Sequence, residues 1–149
     1  MYEEYNVVTD DGYVLGLYRI PGVKGQSQDE QGVRGRPPVL LMHGLWFDMM
    51  AWVVNGNQSA PAYVLARAGY DVWLGNHRGV RNSERHVFLD PETKEYWNFS
   101  WEEYGTRDLP AFINFIKTTT GFSKVNYIGH SAGTSGLLAG ASLKPEFFN

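Results

Sequence analysis

The 149-residue chain carries a formal net charge of −3 and is 43% hydrophobic and 19% charged, one globular domain's length with no basic footprint for nucleic acid and no acidic tail. It has no cysteine, which excludes a disulfide framework, a Cys-based zinc site and a thiol nucleophile. No His/Asp/Glu spacing resembles a metal site, so no metal or other cofactor is expected, and no apolar run approaches the ~20 residues of a membrane-crossing helix.

Met1 to Tyr5 is acidic and lacks the basic-then-apolar pattern of a signal peptide. Val7-Val8-Thr9 and Tyr13 to Ile20 read as two strands joined by the turn Asp10-Asp11-Gly12. Gly22 to Arg36 has no apolar period and reads as a surface loop. Val39-Leu40-Leu41-Met42 is the short unbroken apolar run of a strand buried on both faces. A helix is expected from Ser59 and Pro61 to Ala68, stopped by Gly69. Asp71 to Leu74 is a second buried strand, and a polar, turn-rich segment runs from Gly75 to about Ser100.

Leu109, Phe112, Ile113 and Ile116 form an amphipathic stripe, with Asp108 as the expected cap and Gly121 beyond the end. Val125 to Ile128 reads as a third buried strand, followed by a small-residue helix to about Leu143 that Lys144-Pro145 ends. Gly136 and Gly140 suit close helix–sheet packing. The fold class is therefore α/β: an N-terminal hairpin, then a mostly parallel sheet with flanking helices.

Between the third buried strand and the last helix lies Gly129-His130-Ser131-Ala132-Gly133. Gly-x-Ser-x-Gly alone is a modest signal, but strand before and helix after are the context of a nucleophile elbow. A sharp, strained turn presents Ser131 above the strand's end, and its flanks cannot carry bulky side chains, which Gly129 and Gly133 satisfy. The helix N-terminus then directs N–H groups at developing oxyanion charge. A second donor should come from the loop after another strand, and His43-Gly44-Leu45 follows Val39–Met42. The main-chain N–H groups of Leu45 and Ala132 are the expected oxyanion donors. His43 is expected to brace that loop rather than transfer protons; His77 and His86 read as loop residues, and His130 points away from the nucleophile.

The chain resembles the acid lipase family of α/β-hydrolases, to which lysosomal acid lipase and gastric lipase belong. The resemblance rests on Thr9-Asp10-Asp11-Gly12-Tyr13 with Leu17 to Pro21, on Leu40 to Leu45, and on Ala68 to Asn76 with Arg78-Gly79. Glu95 to Glu103, Asp108-Leu109-Pro110 and Tyr127 to Ser131 complete it, in the family's order. It implies a lipase of neutral lipid esters, triacylglycerols or steryl esters, with a Ser-Asp-His triad under a helical lid. Ala132 stands where many relatives have Gln, and His77 where Ser is usual. In the family the lid, the triad Asp and the triad His lie downstream of the elbow. After Ser131 this chain has no Asp and no His. Residues 1–149 thus read as a partial hydrolase domain, either a fragment of a longer enzyme or one half of a split one, inactive unless complemented by the C-terminal half, which in a split enzyme a second chain supplies. The alternative is a non-catalytic, truncated subunit acting as a structural or interaction protein. The family implies a lysosomal or secreted location, which the sequons at Asn57 and Asn98 fit.

Overall fold

A computed structural model describes residues 2–22 and 35–149. The expected loop from Gly22 to Arg36 thus lies, at 23–34, outside the described residues.

One mixed sheet forms the frame, in the order β1 (Glu3–Val8), β2 (Tyr13–Ile20), β4 (Asp71–Gly75), β3 (Pro38–Met42), β6 (Asn126–Gly129), with the two-residue β5 (Arg85–His86) pairing β2. β4, β3 and β6 run parallel, while β1, β2 and β5 join antiparallel. The expected parallel sheet is therefore the inner part of a mixed one. The Asp10–Gly12 turn closes the β1–β2 hairpin with Gly12 N–H donating to Thr9 O.

Helices cover both faces. On one, α1 (Gly56–Ser59) and α2 (Pro61–Arg67) follow the 3-10 turn Met49–Trp52, and Ala62 and Ala66 pack on Ile20, Leu41, Val72 and Leu74. Ser59 does not open α2; Ala60 sits at its N-cap without a side-chain bond, and Pro61 supplies the first turn. On the other face, α3 (Trp101–Glu103), a π-helical turn (Tyr104–Asp108) and α4 (Leu109–Thr120) form one continuous rod. Leu109, Phe112 and Ile116 of that rod bury against Leu15, Leu17, Leu40, Met42 and Trp73.

The rod begins earlier than the apolar period suggests. Ser100 and Glu103 form a capping box that starts it. Asp108, the expected cap, has helical backbone and makes no capping bond. Its carboxylate is fully buried and accepts from Arg78 N–H (3.1 Å) and Arg78 Nε (2.8 Å). The Arg78 guanidinium also meets Asp11 at 2.7 and 3.1 Å and lies 4.0 Å over the Tyr13 ring. One buried cation thus ties the hairpin turn, the loop after β4 and the rod together.

β6 departs from expectation most. It lies at the end of the strand order, and alternate residues are exposed, Ile128 by 38%. After it come α5 (Ala132–Leu143) and α6 (Pro145–Phe148). Gly136 and Gly140 of α5 face the π-helical turn rather than the sheet. A Cβ on Gly105 would collide with Gly136 O and Gly140 N, so the helices meet backbone to backbone.

Candidate active site

Ser131 sits where β6 becomes α5, at φ 51° and ψ −113°. Positive φ is costly for a residue with a Cβ, on the order of 1–3 kcal/mol, and persists only where the surroundings enforce it. Several contacts enforce it here. His130 N–H donates to Met42 O (3.0 Å), Gly133 N–H to His130 O (2.9 Å) and Ser135 N–H to Ser131 O (3.0 Å). Thr134 Oγ1 donates to Gly129 O (2.8 Å), and the Tyr127 hydroxyl donates to Gly133 O (2.6 Å). Burial holds that hydroxyl well above the ordinary tyrosine range, so it remains a donor. A Cβ on Gly133 would stand 2.6 Å from Met42 O. Glycine there lets α5 start against the end of β3.

The loop after β3 reaches the same point. A Cβ on Gly44 would lie 3.2 Å from Ser131 Cβ and 2.7 Å from His130 Nδ1. Gly44 to Phe47 make a turn closed by Phe47 N–H on Gly44 O (3.2 Å), with Trp46 at φ 65°. The structure thus brings Gly44, the residue before Leu45, against His130 and Ser131 of the Gly129–Gly133 turn, whose residue after the serine is Ala132. Ala132 is the first residue of α5, where main-chain N–H groups have no partner within their own helix. Leu45, Trp46 and Phe47 of this loop are exposed, Trp46 by 91%, as are Met50 and Val54 further along the chain.

His43 bridges two loops. Its Nε2 accepts from His77 N–H (3.1 Å), so the ring proton is on Nδ1, which donates to Gly44 O (2.8 Å). Burial first, and then the charge of His77, push its pKa down to about 4, against the opposing pull of Gly44 O and Asp48. His77, read from sequence as a loop residue, is instead 1% exposed. Its ring stacks on Tyr104 at 4.1 Å and meets His43 edge-on at 5.0 Å. His86 bonds Asp11 O through Nε2 and accepts from Phe88 and Leu89 N–H through Nδ1. His130 is exposed, with its ring 6.3 Å from Phe47. Among the described residues, then, no histidine hydrogen-bonds the Ser131 hydroxyl, and no group of His, Asp or Glu could hold a metal ion.

The buried roles of His77, Arg78 and Asp108 were not read from the sequence. The Ser100-x-x-Glu103 spacing was the available signal that the rod starts before Asp108, which frees that carboxylate for another partner.

Comparison with known proteins fits this geometry. Residues 37–149 match the family model of the alpha/beta hydrolase fold, and residues 1–56 match the partial alpha/beta-hydrolase lipase region. The chain belongs to the α/β-hydrolase family. Within it, the chain matches the N-terminal region of the acid lipases. It is 48% identical to a gastric triacylglycerol lipase of Rattus norvegicus over 133 residues, 89% of this chain and 33% of that one. It is 45% identical to lipase member K of Homo sapiens, over 97% of this chain and 36% of the relative. This hydrolase chain therefore spans about a third of the length of the curated relatives it matches. Among solved structures, an esterase of Pyrococcus furiosus aligns with a TM-score of 0.63 at 16% identity, over 98% of this chain and 48% of that one. That likeness is one of fold.

Proposed function

We propose that Ser131 is the nucleophile of a carboxylic ester hydrolase acting on neutral lipid esters, with triacylglycerols or steryl esters as substrates. The observation that carries this reading is the enforced positive φ of Ser131 between a parallel strand and a helix N-terminus. In the reaction, Ser131 Oγ attacks the ester carbonyl carbon and its proton passes to a base. The carbonyl oxygen becomes an oxyanion held by the main-chain N–H groups of Leu45 and Ala132. Collapse breaks the ester C–O bond as the base returns the proton to the leaving alcohol; water, giving its proton to the same base, then attacks the acyl-serine, and the proton goes back to Ser131 Oγ as the free acid departs. The exposed apolar row from Leu45 to Val54 suits acyl chains of such substrates. The base and its carboxylate come from outside the described residues: from further polypeptide of the same kind or from a second chain. A serine without a base in reach is a weak nucleophile.

A second reading is a non-catalytic subunit in which β6, paired here to β3 with alternate residues exposed, pairs along its other edge with another protein. A fluorophosphonate probe separates the two. The first reading predicts an adduct on Ser131, absent in Ser131→Ala, that forms at enzyme-like rates once the C-terminal half is supplied. The chain alone then retains no more than the ~10³–10⁴-fold advantage over water of a broken triad. If no adduct forms in the complemented protein, the subunit reading replaces it.

A further inference from the structure

His77 is the buried polar side chain that this account of the site leaves without a task. Neither of its ring nitrogens has a hydrogen-bond partner. Nδ1 lies 3.8 Å from Asp108 Oδ2, just beyond hydrogen-bond reach but close enough for strong attraction to a charged ring in a dry interior. The groups facing the ring are Tyr104 and Asp108 from the π-helical turn, Arg78 as its chain neighbour, and His43 from the loop after β3. A neutral ring here strands a buried donor and a buried acceptor. A protonated one gains Asp108 as a counter-charge.

The consequence falls on His43. Its bridge from the His77 main chain to Gly44 exists only while the ring is neutral, because Nε2 must accept from an N–H. A proton on Nε2 would set donor against donor and open the loop that carries Leu45. The groups facing His43 are His77, with ring centroids 5.0 Å apart, the Gly44 carbonyl and the Asp48 carboxylate.

We propose that His77 is a positioning residue for the Leu45 loop: its charged ring, held against Asp108, keeps His43 neutral, so the bridge from β4 to the loop stays closed in acid. This rests on the reading of that loop as the oxyanion loop, but only for its catalytic meaning. The low pKa of His43, to which the charge of His77 contributes after burial, agrees with it. The surrounding charges divide the work. Asp108 is shared with Arg78, whose guanidinium is held by Asp11 as well, and its Oδ2 faces His77 Nδ1 at 3.8 Å.

The test is an NMR titration of the imidazoles, four in the parent chain and three in His77→Phe and His77→Gln, with amide-exchange protection of the residue-77 N–H read across the same range. Phe keeps the burial and the stack on Tyr104 without the charge; Gln keeps polarity without the charge. Both variants are expected to raise the His43 midpoint by about one pH unit, as removing a charge ~5 Å away does at intermediate dielectric. Protection of the residue-77 N–H should fail at correspondingly higher pH. An unchanged or lowered His43 midpoint in either folded variant overturns the proposal, as does protection lost at the same pH as in the parent chain. His86, held elsewhere, serves as the internal control for folding. None of these readings uses turnover. Failure of Ser131 to react with the fluorophosphonate would therefore remove the proposed function while leaving this result standing.

Discussion

β4 and β6 are both short apolar strands of the same parallel stack, each one place from β3, yet they live in different environments. Every residue of β4 is buried, because β2 and β3 pair it on both edges and α2 and α4 cover its faces. β6 pairs β3 alone, and its outward residues meet solvent. A strand's burial is thus a property of its neighbours, and Asp71–Gly75 and Asn126–Gly129 look alike in sequence because the apolar pattern records a strand's preference, not who sits beside it. Ser131, at positive φ, lies at the end of the less supported of the two.

The sharpest break of this comparison is a pair of truncations. Leu74→Ala in β4, at a site 1% exposed, is expected to cost about 2–5 kcal/mol in urea unfolding, whereas Ile128→Ala in β6 should cost less than about 1 kcal/mol. Equal losses would mean that β6 is as well covered as β4. A pH series is next in size. His43 titrates at about 4 in the folded chain against an ordinary 6.5, so the unfolded chain binds more protons between those values. Stability therefore falls as pH drops from about 6.5 to about 4, by roughly 3 kcal/mol in total, and the contribution is fully present above that window. His43→Gln, followed by the same unfolding experiment, should flatten that slope. The smallest effect is at the elbow itself. Ser131→Gly removes the strain of a Cβ at positive φ and is expected to gain about 1 kcal/mol, net of the added backbone freedom, while losing all phosphonate labelling. A loss of stability there would show that the turn is not strained.

Much of this arrangement was legible in the sequence where local chemistry decides the outcome. Val39–Met42 is an uninterrupted apolar run and Asp71–Leu74 holds the apolar core of a second, Asp10-Asp11-Gly12 is a turn by its own residues, and the Gly129–Gly133 motif carries its strand and helix with it. What was hidden depends on distant partners. Asp108 reads as a cap because it precedes an apolar period. Its real partner, Arg78, is thirty residues away, and only the Ser100 capping box reveals that the helix end is elsewhere. His77 sits in a polar stretch that reads as loop, yet the ring of Tyr104 covers it. The small residues of α5 announce a close approach without naming what approaches; it is Gly105 of the rod and not the sheet.

That last contact has a further meaning. A joint made of Gly105, Gly136 and Gly140 has no rotamers, so it cannot be retuned by swapping one side chain for another of similar volume; a Cβ on Gly105 or Gly140 would meet main-chain atoms across the joint and wedge α5 off its seat. Side-chain change beside Ser131 is freer on the loop after β3, where Leu45, Trp46 and Phe47 are exposed. The molecule separates what must stay fixed from what is open to revision by building the first out of main chain alone.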